Sequence, residues 1–147
     1  MGAAPRDRRA DGDAALRAAV WTQLLDNYVE ASRARAFEWG SLDCVTFAAN
    51  WKCIATGVDP IAEWRGTYKT EREALSLIVK LGCDGLEALG TRLFGEPDPL
   101  GPKFAGRGDI VFAQGALGVS LGARGAFLSL EGLAFLPARD FKTVWKV

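Results

Sequence analysis

Among the residues able to carry covalent chemistry, Cys44 stands out by its setting, Phe37-Glu38-Trp39-Gly40-Ser41-Leu42-Asp43-Cys44. Ser41 and Asp43 are both helix N-cap types, and Cys44 to Ala55 then runs without glycine or proline. A thiol in a first helical turn faces unpaired amides and the positive end of the helix dipole, which favour thiolate and nucleophilic attack at neutral pH. The same residue lies on a stripe with Phe47, Ala48, Trp51 and Ile54, and unpaired cysteines are among the most often buried residues. Nucleophile and core cysteine are both open readings. The chain contains no histidine, so a cysteine–histidine dyad of its own is excluded. Asp43 adjoins the sulfur, where its charge opposes thiolate formation, and its carboxylate reads as a helix cap.

Other side chains offer binding rather than bond-making. Trp39 and Trp64 each sit beside a charged residue and near a glycine, which makes them groove-wall candidates as well as core residues. Arg65, before Gly66, has the planar fork that clamps a carboxylate. Gly115, Gly118 and Gly122 precede a hairpin pattern rather than a helix, so they do not form a phosphate loop. Cys44, Cys53 and Cys83 lack metal-ligand spacing, and without histidine a mixed zinc site is excluded; no metal or cofactor is expected. An odd cysteine count fits folding in a reducing cytoplasm.

Lysine plus arginine and aspartate plus glutamate number 18 each, so no net field points to nucleic acid or an anionic membrane. No export signal and no apolar run of about 20 residues is expected to direct or anchor the chain in a membrane.

The elements that must position these residues follow from periodicity. Residues 1–13 read as a charged N-terminal arm, flexible or ordered by a partner, and 14–147 as a single domain. Leu16, Val20, Leu24 and Tyr28, widened by Trp21, Leu25 and Val29, predict a helix over 14–32 with that stripe toward the core. A second helix starts at Cys44, and Gly57 stops it. Val58-Asp59-Pro60 permits a short helical piece toward Trp64. Thr70 with Glu73 caps a third helix ending at Gly82, and a shorter one runs from Asp84 to about Leu93. Three prolines between Gly95 and Pro102 break the chain by character. Beyond them, apolar runs at 109–112, 117–121, 126–130, 133–136 and 143–147, punctuated by glycines, predict antiparallel strands. Helices first and strands second give an α+β class, helices packed on one face of an antiparallel sheet.

Trp39-Gly40, Asp43-Cys44, Phe47-Ala48, Trp51, Gly57, Asp59-Pro60, Arg65-Gly66 and Tyr68 resemble a small domain of unknown function found in bacteriophages and prophages. Gly108-Asp109-Ile110-Val111, Ala116-Leu117-Gly118-Val119, Gly122, Gly132-Leu133, Leu136-Pro137 and Trp145 fit it too, so the resemblance spans about residues 24–147. That domain is distantly similar to the NlpC-type cell-wall endopeptidases, papain-like proteins in which Asp-Cys opens a helix packed on an antiparallel sheet. The resemblance implies a papain-like fold with Cys44 at the nucleophile position. It puts Ala116 where those enzymes carry their histidine. Alanine can neither take the thiol proton nor protonate a leaving amine. The resemblance therefore implies a vestigial site in a phage tail protein near the tip or hub. Such a protein is made in the host cytoplasm and carried in the virion, with other tail proteins as partners. The alternative is an active cysteine hydrolase that cleaves peptidoglycan peptides with Cys44 as nucleophile.

Overall fold

The computed structural model describes residues 8–147, with side chains from Val20 onward. Of the N-terminal arm expected over 1–13, positions 1–7 lie outside the described residues, and α1 (Arg8–Arg33) begins at once after them. Three further helices follow, α2 (Cys44–Thr56), α3 (Glu71–Lys80) and α4 (Leu86–Phe94). The strands are β1 (Ile110–Ala113), β2 (Ala116–Ser120), β3 (Arg124–Ser129), β4 (Gly132–Pro137) and β5 (Thr143–Trp145). They form one sheet of order β4-β3-β2-β1-β5, every pairing antiparallel. The class is α+β, four helices preceding a five-stranded sheet, with each strand within about three residues of its expected place. The short helical piece expected between Val58 and Trp64 is instead a run of turns, held by Arg65 N–H donating to the Ile61 carbonyl at 2.9 Å.

The hairpin glycines do the work their spacing suggested. β1 and β2 pair Ala113 with Ala116, leaving Gln114-Gly115 as a two-residue turn. Both turn residues have positive φ, 47° and 78°, the mirror-image turn whose twist matches that of the strands it joins.

Side chains on the sheet alternate between two cores. Ile110, Leu117, Val119, Ala126, Leu128 and Trp145 face the helices, while Val111, Ala113, Phe127 and Val144 face the other way and are covered by Phe141. α2 lies across β2 and β3 and is the central helix, with Phe47, Ala48, Ala49 and Trp51 fully buried. The Trp51 indole donates to the Gly108 carbonyl at 2.7 Å and packs against Trp21 and Tyr28. One side chain thereby joins α1, α2 and the loop entering the sheet.

Two apolar stripes turn differently from expectation. On α1 the buried row is Leu25, Val29 and Ser32, with Trp21 and Tyr28 packed against it, whereas Val20 is 52% and Leu24 36% exposed. Two neighbouring rows share the four-residue spacing, and the row that meets Phe47, Trp51 and Val119 is the one that is covered. On α2, Ile54 is 44% exposed, and no residue of the helix after Trp51 is buried.

Trp51→Phe removes a buried donor and leaves the Gly108 carbonyl unpaired, so it is expected to cost about 2–3 kcal/mol. Urea unfolding followed by circular dichroism measures this; a loss below about 0.5 kcal/mol contradicts the role given to the indole.

Candidate functional site

The site is built around a helix cap. Residues 38–42 close a tight loop in which Glu38 and Leu42 exchange backbone hydrogen bonds of 2.9 and 2.8 Å. Asp43 then leaves this loop in an extended conformation and caps α2. Its Oδ1 accepts from Thr46 N–H at 2.9 Å, and its own N–H donates to Thr46 Oγ1 at 2.7 Å, a reciprocal capping box. Its Oδ2 accepts from Gly40 N–H at 3.0 Å and from the Tyr68 hydroxyl at 2.6 Å. Gly40 has φ +83°, and a Cβ there would overlap the Tyr68 carbonyl oxygen, so only glycine brings the loop this close. Burial and the Asp43 carboxylate together push the Tyr68 phenol well above its usual range, keeping it a donor.

Cys44 is the first residue of α2 and is partly buried. Backbone amides of Leu117, Cys44 and Val45 approach the sulfur and favour thiolate, as expected for a first-turn thiol. They are outweighed. Burial first, and the neighbouring Asp43 charge second, push the thiol up to about 11. Sequence reasoning had the dipole effect and the Asp43 effect with the correct signs, but it had no measure of burial, which is the largest of the three.

Beside the sulfur runs a groove of about 190 Å³ between the start of α2 and the inner side of α3. Trp39, Val45, Tyr68, Ala74, Ile78 and Leu86 give it apolar walls, and Asp43, Cys44, Glu71 and Leu75 complete it. Of the side chains singled out from sequence, Trp39, Asp43 and Cys44 therefore meet here. Trp64 lines a smaller cavity of about 30 Å³ on the far side of Val45 and Tyr68. Arg65 does clamp a carboxylate, but one of its own chain: Nε and Nη2 donate to Asp59 at 2.8 and 3.0 Å. That pairing holds the Asp59 carboxyl below its usual range and pins the 59–65 turn.

Ala116 opens β2, the strand whose next amide, Leu117 N–H, touches the Cys44 sulfur. Its methyl packs with Val111, Ala113 and Phe127 and does not border the groove. Asp109 is not a spare base either, since Lys146 Nζ donates to its Oδ2 at 2.8 Å and Gly106 N–H at 2.8 Å. Among the described residues, no cluster of histidine, cysteine, aspartate or glutamate could hold a metal ion, and no helix is long and apolar enough to cross a membrane. Glu71, Leu75 and the Leu117 amide were missed in the sequence. The hairpin register that presents Leu117 leaves no residue-type signal, while Glu71 lies three residues before Ala74, on the side of α3 that the apolar stripe already marked.

The model of a family described as Domain of unknown function (DUF6950) matches residues 16–147. No curated protein and no solved structure matches the chain.

Three outcomes are expected. In a Cys53→Ser, Cys83→Ser background at pH 8, iodoacetamide should modify Cys44 about 100-fold more slowly than in the urea-unfolded chain, because the folded thiolate fraction is smaller by that factor. The folded chain holds this proton more tightly than an unfolded one, with its ordinary value of 9.0, so stability should be flat below pH 9 and fall toward pH 11. Equal alkylation rates in the two states contradict a thiol held neutral. Asp43→Ala strips three buried donors of their acceptor and should cost about 3 kcal/mol in urea unfolding; a cost under about 1 kcal/mol contradicts its role as the anchor.

Proposed function

The chain belongs to this family, and on that premise we propose that it is a non-catalytic binding protein, a structural or assembly component of a phage tail near the tip or hub. Its scaffold is a papain-like, NlpC-type one that has lost its base. The observation that supports this reading is the neighbourhood of Cys44. The sulfur meets backbone amides and a carboxylate already committed to Gly40, Thr46 and Tyr68, and burial pushes its thiol up to about 11. A cysteine hydrolase needs a group to take the thiol proton and return it to the leaving amine. The chain has no histidine, and the β2 residue beside the sulfur contributes only its amide. What remains is an apolar groove with a tryptophan at its edge, suited to receiving part of a neighbouring protein.

The tail assignment rests on the resemblance of the Asp43-Cys44 helix and the Gly108-Asp109 strand to phage-borne NlpC-like domains. Mass spectrometry of purified particles tests it: the chain should be present at a fixed ratio to other tail proteins, and its absence removes the virion reading. A parallel assay tests the loss of catalysis. Wild type and Cys44→Ala should leave purified peptidoglycan equally undigested; digestion by wild type that vanishes in Cys44→Ala establishes the cysteine hydrolase instead.

A further inference from the structure

We propose that the segment from Lys69 to Asp84, with α3 at its centre, is a lid that unfolds locally and lifts from the groove beside Cys44 while the rest of the fold stays closed. Tyr68 and Leu89 are buried, but every residue between them up to Ala88 keeps part of its surface in water. α3 turns Ala74, Leu77 and Ile78 inward, yet none of its ten residues is fully buried. Among the described residues, no hydrogen bond or ion pair joins Lys69–Asp84 to the rest of the protein; the bonds of Thr70, Leu81, Gly82 and Cys83 all stay inside the segment. The body is tied quite differently. Tyr28 donates to the Phe47 carbonyl, Trp51 to that of Gly108, Tyr68 to Asp43 and Lys146 to Asp109, each across a long stretch of chain. A segment with few buried side chains and no tertiary hydrogen bond opens at a free energy well below that of the whole fold.

The packing under α3 adds to this. The cavity of about 30 Å³ and the groove of about 190 Å³ both border Val45, Tyr68, Ala74 and Ile78. Ala74 and Ile78 belong to α3, so lifting the helix removes a shared wall and joins the two hollows into one trough lined by Trp39, Cys44, Val45, Trp64 and Tyr68. Atoms that face a hollow forgo the dispersion contacts of a filled interior, so the helix is held less firmly than its four apolar neighbours below would suggest. Both ends of the segment are fixed, one by the Tyr68 hydroxyl on Asp43 and the other by Leu89 of α4. Near the second end, Gly82 has φ +74°, and it and Gly85 have open space where a side chain would stand, so the chain can turn there. A detached helix of ten residues is too short to persist in water, so α3 loses its internal bonds as it leaves.

The proposal concerns how the groove is reached, and it holds whether or not a tail protein is what enters. Exchange measurements on the chain alone therefore test it separately from the binding reading.

Hydrogen exchange of the full chain, followed amide by amide by NMR at low urea concentrations, is the test. Relative to their unstructured rates, the hydrogen-bonded amides of α3 should exchange at least about 100-fold faster than those of Phe47 to Trp51, and with little dependence on urea, because opening the lid exposes little surface. Thr70→Ala removes the N-cap of α3 and should speed its exchange about 5-fold. Trp51→Phe should speed exchange in α2 and leave that in α3 unchanged, since the lid opens with Trp51 still in place. Thiol chemistry connects the lid to the groove. In the Cys53→Ser, Cys83→Ser background, modification of Cys44 by a bulky aromatic disulfide should also rise about 5-fold in Thr70→Ala and be unmoved by Trp51→Phe. Exchange in α3 that matches α2 in protection and urea dependence, or that rises with Trp51→Phe as much as α2 does, overturns the proposal, the helix then opening only with the whole fold. Modification of Cys44 that ignores Thr70→Ala overturns the gating of the groove even where α3 opens.

Discussion

The buried carboxylate of Asp43 is the constraint from which the candidate site takes its shape. It is 1% exposed and takes hydrogen bonds from three elements that are otherwise separate in the chain: the 38–42 loop through Gly40, α2 through Thr46, and the segment before α3 through Tyr68. A buried ionised group is tolerable only when its lone pairs are occupied, and here they are. Removing any one donor loosens the other two. This bond holds Tyr68 against the start of α2, where it forms a wall of the groove together with Ala74 and Ile78 of α3. A residue that in sequence looks like a helix cap therefore also ties together the walls of the groove beside Cys44.

Cys44 shows how one environment can point a side chain in two directions. Its place in the first turn is the same place that makes thiols reactive elsewhere, and three amides approach it. The surroundings are apolar enough to reverse the outcome. Dipole effects at a helix end are worth at most about 1–2 kcal/mol, whereas excluding water from a thiolate can shift its proton affinity by several units. The balance depends on how deeply the residue is packed, not on where in the helix it sits.

Much of this was legible in the residues themselves. Asp43 as cap, Cys44 as first helical residue, Gly57 and Gly82 as stops, and the Gln114-Gly115 turn all follow from local chemistry, because each is decided within four or five neighbouring positions. What could not be read depends on contacts across the chain. Val20 and Leu24 have the same spacing as Trp21, Leu25 and Val29, and only the position of α2 decides which row is covered. Arg65 has the right side chain for recognising a carboxylate, and nothing local reveals that Asp59 folds back to occupy it. Trp64 and Trp39 are alike in sequence and are separated by which side of Val45 they reach. That Leu117 presents its amide to the sulfur is a consequence of strand register, which a one-residue slip would reverse.

The placement of β5 sets an order of events for the newly made chain. It pairs with β1 and supplies Trp145, fully buried against Ala48, Phe94 and Leu117, so the core around α2 stays incomplete until these residues exist. The helices leave the ribosome first, before the sheet they pack on. At roughly 5–20 residues per second, the stretch from the end of α4 to Trp145 takes about 3–10 s to emerge. For that interval the sides of the helices that the sheet will cover have no strands to lie on, although α1 and α2 can already meet through Trp21, Tyr28 and Trp51.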